Sequence, residues 1–148
     1  MFSFLRKSRT PIRSVAIPLI GTLFSQPGTS ALFGRVDTIA PNNKVELSVE
    51  PANGTELSEE QIRLLQELPN DYNYYMEMLC TYLEVAFEEF SLETIKQMYF
   101  LAAIELKKYN SEWYFTLEPG PNVPSIYNHF QRFTVVNKMI TWSNVSLD

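Results

Sequence analysis

The amino-acid sequence predicts an α+β domain: an N-terminal antiparallel meander, a central helical layer and C-terminal antiparallel strands. Three observations predict it. Short apolar segments bounded by Pro-Gly and Pro-Asn-Asn turns fill residues 15–49. A capped apolar stripe at 3,4 spacing occupies the middle, and aromatic-rich segments with hairpin signals follow from residue 99. Strands, then helices, then strands in blocks read as α+β and not as βαβ alternation. The 148 residues are about one domain's worth. The organisation expected is a basic, poorly ordered tail over residues 1–14 and a single domain over 15–148.

The first strand expected is Ala16–Phe24, an edge strand because Pro18 cannot donate a ladder hydrogen bond. The second is Ser30–Ile39, set off by Gln26-Pro-Gly-Thr29, where Pro27-Gly28 suits a type II turn. The third, Lys44–Val49, places Val45, Leu47 and Val49 on one face and Glu46 and Ser48 on the other.

Pro51-Ala-Asn-Gly54 ends the strand pattern. Ser58 and Gln61 have capping-box spacing, and Glu59 and Glu60 favour the positive end of a helix dipole. Helix one is expected over Glu59–Leu68, interrupted by Pro69-Asn-Asp71. Helix two, Tyr72–Glu89, carries Tyr72, Tyr75, Met76, Leu79, Leu83, Ala86 and Phe87, with Phe90 just after it, as an inward stripe. Ser91 caps a short third helix, Leu92–Met98. Strands are then expected at Tyr99–Lys107 and Glu112–Glu118, split by Lys108-Tyr-Asn-Ser111, and at His129–Val136 and Met139–Ser143, joined by Asn137-Lys138.

Composition excludes several classes of function. Hydrophobic residues are 45% of the chain, too many for a wholly disordered one. A single cysteine, Cys80, and a single histidine, His129, leave no disulfide framework and no conventional zinc set, so neither metal nor cofactor is expected. Five scattered glycines make no phosphate-cradling loop. No run of 18 apolar residues exists to span a bilayer. A basic stretch, an apolar stretch and small residues open the chain in the order of a secretory signal, but Pro18 and Gly21 break the apolar run. A cytoplasmic protein is expected, with export as the alternative.

Charge is unevenly distributed. Arg6, Lys7, Arg9 and Arg13 stand near the start with no acid among them, whereas residues 50–93 hold eleven acidic residues against Arg63 alone. The formal net charge of −5 argues against nucleic acid, whose phosphates need a basic surface. The acidic middle points to a basic protein partner or to solubility alone. The partner-binding residues expected are Glu67, Asp71, Glu77, Glu84 and Glu88. Glu84 and Glu88 share a helix face, but carboxylates so spaced on an exposed helix stay ionised and solvated, so no catalytic pair is expected.

Trp113-Tyr-Phe-Thr-Leu-Glu-Pro119, Phe130-Gln-Arg-Phe-Thr-Val-Val136 and Ile140-Thr-Trp-Ser143 give residues 95–145 a strand rhythm punctuated by tryptophans. That rhythm resembles small bacterial α+β domains that recur among immunity proteins of polymorphic toxin systems and their orphan relatives. The resemblance implies a non-enzymatic protein-binding module, an inhibitor of a basic toxin, and carries no individual functional residue with it. Two alternatives remain at this point: a small-ligand binder with an aromatic pocket between helix two and the sheet, or a housekeeping domain whose acidic face is merely solvated.

Overall fold

A computed structural model describes residues 12–109 and 111–147, and its organising element is a single eight-stranded sheet in which spatial order follows sequence order. The strands are β1 (Ser14–Ile17), β2 (Gly21–Ser25), β3 (Leu32–Val36), β4 (Val45–Val49), β5 (Tyr99–Leu106), β6 (Trp113–Pro119), β7 (Gln131–Val136) and β8 (Met139–Ser143). Every neighbouring pair is antiparallel except β4 and β5, which run parallel. A parallel pair needs a crossover long enough to return the chain. That crossover holds both helices, α1 (Glu59–Ala86) and α2 (Leu92–Met98). The class is α+β. The meander and the C-terminal strands, expected as two sheets, are one sheet joined along β4–β5.

Two local expectations change. The single strand expected at Ala16–Phe24 is a hairpin, β1 and β2, paired from Ser14↔Phe24 to Ile17↔Gly21. Pro18 and Gly21 therefore mark a turn: Leu19 takes φ 71° and Gly21 φ 140°, and the Ile20 amide donates to the Ile17 carbonyl at 3.1 Å. The two helices expected on either side of Pro69 are one, the 28-residue α1. A proline inside a helix costs about 3 kcal/mol. Burial of Leu65, Leu68, Tyr75, Met76, Leu79 and Leu83 along α1 outweighs this, at about 1.5–3 kcal/mol for each large side chain.

Other local signals act as the sequence suggests. Ser58 and Gln61 form a reciprocal capping box, and the Gln61 side-chain amide also donates to the Glu50 carbonyl at 2.7 Å, tying the helix start to the end of β4. Ser91 accepts from the Thr94 amide at the start of α2. Gly28 has φ 80°, the value a type II turn requires after Pro27. Asn137 and Lys138 both have positive φ, 52° and 60°, the signature of a type I′ hairpin turn.

Strand residues alternate between the two faces of the sheet. Val45, Leu47, Val49, Ile104, Leu106, Trp113, Phe115, Leu117, Phe133 and Val135 are buried on the face that α1 covers. Phe24, Phe33, Arg35, Glu46, Glu105, Tyr114, Thr116, Arg132, Thr134 and Trp142 take the alternate positions and form a face that no described element covers, the uncovered face of the sheet. Of the apolar stretch over residues 15–24, Ile17, Ile20 and Leu23 are in the core. The expected tail falls largely outside the described residues. Within it, Arg13 pairs with Glu56 at 3.4 Å and Ser14 opens β1.

Candidate functional site

A helix turns 100° per residue, so one core-facing stripe leaves a broad solvent face. On α1 that face carries Glu59, Glu77, Glu84 and, just beyond the helix end, Glu88, with Glu60, Glu67 and Asp71 along one flank. The five residues singled out from the sequence lie along this one elongated surface. Its two ends differ in how their charge is matched.

At the flank near the middle of α1, the carboxylates already have partners. Arg63 binds Glu67 at 2.7 Å and Glu60 at 3.2 Å, at i,i+4 and i,i+3 spacing. Asp71 meets Lys138 at 3.3 Å. The type I′ turn delivers that lysine to the helix, and the Tyr74 hydroxyl fastens it by donating to the Lys138 carbonyl at 2.8 Å. Glu77 is paired with Lys96, which reaches over from α2. Arg63, Glu67, Asp71, Lys138, Tyr75 and Trp113 line a groove of about 460 Å³ beside the helix. Burial, and then the nearby Asp71 carboxylate, push the Tyr75 phenol up to about 12, so it stays neutral beside these acids.

Toward the end of α1 the charge is unmatched. Glu84 and Glu88 lie on the solvent side, and no cation among the described residues comes within ion-pairing distance of either. Glu59 at the opposite end is exposed, and no cation among the described residues pairs with it.

The aromatic pocket expected between helix two and the sheet does not open in the middle of that interface. Leu65, Leu79, Leu83 and Phe115, each wholly buried, fill it, and the groove described above lies at its flank. Cys80 is also wholly buried, and burial pushes its thiol up to about 11, away from the thiolate a nucleophile needs. His129 is exposed in the loop before β7, and no hydrogen bond joins the two. Among the described residues no three of His, Cys, Asp and Glu converge on a point, and no helix is long and apolar enough to cross a membrane. Chemically, the outer side of α1 offers a row of carboxylates.

Sequence reasoning missed two sets of residues. Lys138 neutralises Asp71 from a turn 67 positions away, a placement that only docking of the hairpin on α1 creates. The second set, Tyr114, Arg132 and Trp142 on the uncovered face, could have been found. Each sits one position from a buried residue of its strand or pairs with one that does, and period-two alternation exposes such positions. No family of known proteins, no curated protein and no solved structure matches this chain.

Proposed function

We propose that the chain is a non-enzymatic protein-binding module that takes a basic protein on the outer face of α1, as an immunity-type inhibitor takes a toxin. One observation carries the reading: Glu84, half-buried, and Glu88, exposed, lie away from the core-facing stripe of α1 with no cation of the described residues to match them. Unmatched charge on a rigid helix attracts a complementary surface over roughly a Debye length of 8–10 Å and raises the association rate more than the residence time. Glu67, Asp71 and Glu77 have a different part. Their internal partners Arg63, Lys138 and Lys96 hold the carboxylates in place, and a partner's cation would join or replace them.

The test uses the wild type and the Glu84→Gln/Glu88→Gln variant as baits for basic proteins at low and high salt. A specific partner is retained by the wild type at low salt. Once purified, it associates more slowly with the variant, and the difference shrinks as salt rises. Equal association rates at low salt would leave the face as solvation alone.

A further inference from the structure

The uncovered face of the sheet holds a second site, unrelated to the acidic surface. Register places Tyr114 of β6 beside Thr134 of β7, and Thr134 beside Trp142 of β8. Two exposed aromatic side chains thus stand on either side of a threonine, on one row across three strands. Neighbouring strands lie about 4.8 Å apart, so the two aromatic residues are roughly 10 Å apart at their backbones. A flat ring stacked between two others needs roughly 7 Å from plane to plane, twice the van der Waals contact distance. A space of about 540 Å³ lies there, with Thr116 and Thr134 on its floor.

The slot has polarity. Arg132 lies two residues from Thr134 along β7 and opposite Thr116, about 7 Å further along the strand, and it lines the same space. Among the described residues no carboxylate pairs with its guanidinium. Glu105, which also lines this space, is on the far side of Tyr114 in register and is held by Lys107 at 3.0 Å, and the Tyr114 hydroxyl is tied to the Glu112 carboxylate. That lysine also stands 5.1 Å over the Tyr114 ring.

We propose that this slot binds a flat aromatic ring bearing an anionic group, with the ring between Tyr114 and Trp142 and the anion on Arg132. A carboxylate and a phosphate ester share the chemistry that Arg132 recognises, since a guanidinium fork pairs with either. The site is on the face opposite α1, so its failure leaves the reading of the acidic surface untouched.

Three probes with one ring test it: 2-naphthoate, 2-naphthyl phosphate and neutral 2-naphthamide, each titrated into ¹⁵N-labelled protein. Trp142 is 55% exposed and Trp113 only 4%, so the Trp142 indole resonance reports the slot and that of Trp113 is the internal control. Naphthoate, naphthyl phosphate or both should shift Trp142 at concentrations at least tenfold below naphthamide, and which of them does so assigns the anion. Arg132→Gln should weaken the anionic probes about 10–100-fold, as loss of a hydrogen bond to a charged group does, and leave naphthamide unchanged. Trp142→Ala, followed on the backbone amide of Thr134 because the indole reporter is gone, should weaken all three about 5–100-fold, the range for one stacking partner. Both residues are exposed, and an unchanged melting temperature verifies that the variants fold. No Trp142 shift at millimolar probe, equal binding of the neutral probe, or anionic binding indifferent to Arg132→Gln would each overturn the proposal.

Discussion

The two faces of the sheet draw on the same strands and serve opposite ends. On the covered face, Phe115, Phe133, Leu47 and Ile104 pack against α1 at 1% exposure or less. On the other face, one residue away along the same strands, Tyr114 and Arg132 are exposed and Thr116 and Glu105 half-buried. Strand pairing is common to both faces; the difference is the helical layer. Because the single parallel step, β4 to β5, carries both helices, that layer lies on one face and no described element covers the other. Antiparallel sheets tolerate such one-sided solvation.

The sharpest way to break this comparison is to truncate the same residue type on each face. Phe115→Ala should cost about 3–5 kcal/mol in urea denaturation, and Phe24→Ala, 46% exposed, about 1 kcal/mol or less. Equal losses would mean that the uncovered face is packed after all. Leu83, wholly buried on α1, belongs with Phe115, and Leu83→Ala should cost about 2–5 kcal/mol.

Alkaline titration sharpens the same contrast through burial alone. The Cys80 thiol rises from 9.0 to about 11 and the Tyr75 phenol from 10.0 to about 12, burial being the main cause for both. The unfolded chain therefore loses these protons first as pH rises. Stability is fully present below pH 9 and falls from pH 9 to 12, by on the order of 2 kcal/mol for each group. Melting curves across that range should show the decline, and Tyr75→Phe should flatten its part above pH 10. A profile that Tyr75→Phe leaves unaltered would place the phenol in contact with water.

Gly34 tests how closely β2 and β3 approach. A Cβ there would lie 2.7 Å from the Thr22 carbonyl oxygen and 2.9 Å from a Leu23 methyl, so Gly34→Ala should destabilise by about 1–3 kcal/mol. Pro69→Ala should act in the other direction. It restores a backbone donor inside α1 and should stabilise by about 1 kcal/mol, a fraction of proline's full cost because the surrounding packing has adapted to it. A loss of stability would show that the proline shapes the helix to the sheet. The smallest effect belongs to the acidic surface, where Glu84→Gln/Glu88→Gln should change stability by less than about 0.5 kcal/mol, so that any change in binding is read without a folding correction.

Much of the fold is legible locally. Ser58, Gln61 and Ser91 mark helix starts, Pro27-Gly28 and Asn137-Lys138 mark turns, and α2 and β8 have the bounds their sequence patterns suggest. Each is decided by hydrogen bonds and φ preferences within a few residues. Pro18 and Pro69 illustrate the limit. Proline removes one donor and restricts one dihedral wherever it occurs, and the consequence depends on what packs around it. In the first case the chain turns, because Ile17, Ile20 and Leu23 then all reach the core. In the second it continues, because the stripe on α1 is buried on both sides of the break.

The candidate surface divides in the same way. Helical period and side-chain charge are local properties, so the acidity of residues 50–93 and the face shared by Glu77 and Glu84 were legible in the sequence, whereas Glu88, expected on the same helix, lies past its end. Only the tertiary structure decided which of those charges are matched. Lys138 reaches Asp71 from a distant hairpin, Lys96 reaches Glu77 from the next helix, and Glu84 and Glu88 meet neither. Likewise the alternation in β6 and β7 was written in the sequence, but the slot between Tyr114 and Trp142 exists because strand register sets them one row apart across β7. Register and docking are fixed by contacts between segments far apart in the chain, where burying one face of every strand leaves a single alignment of the whole sheet.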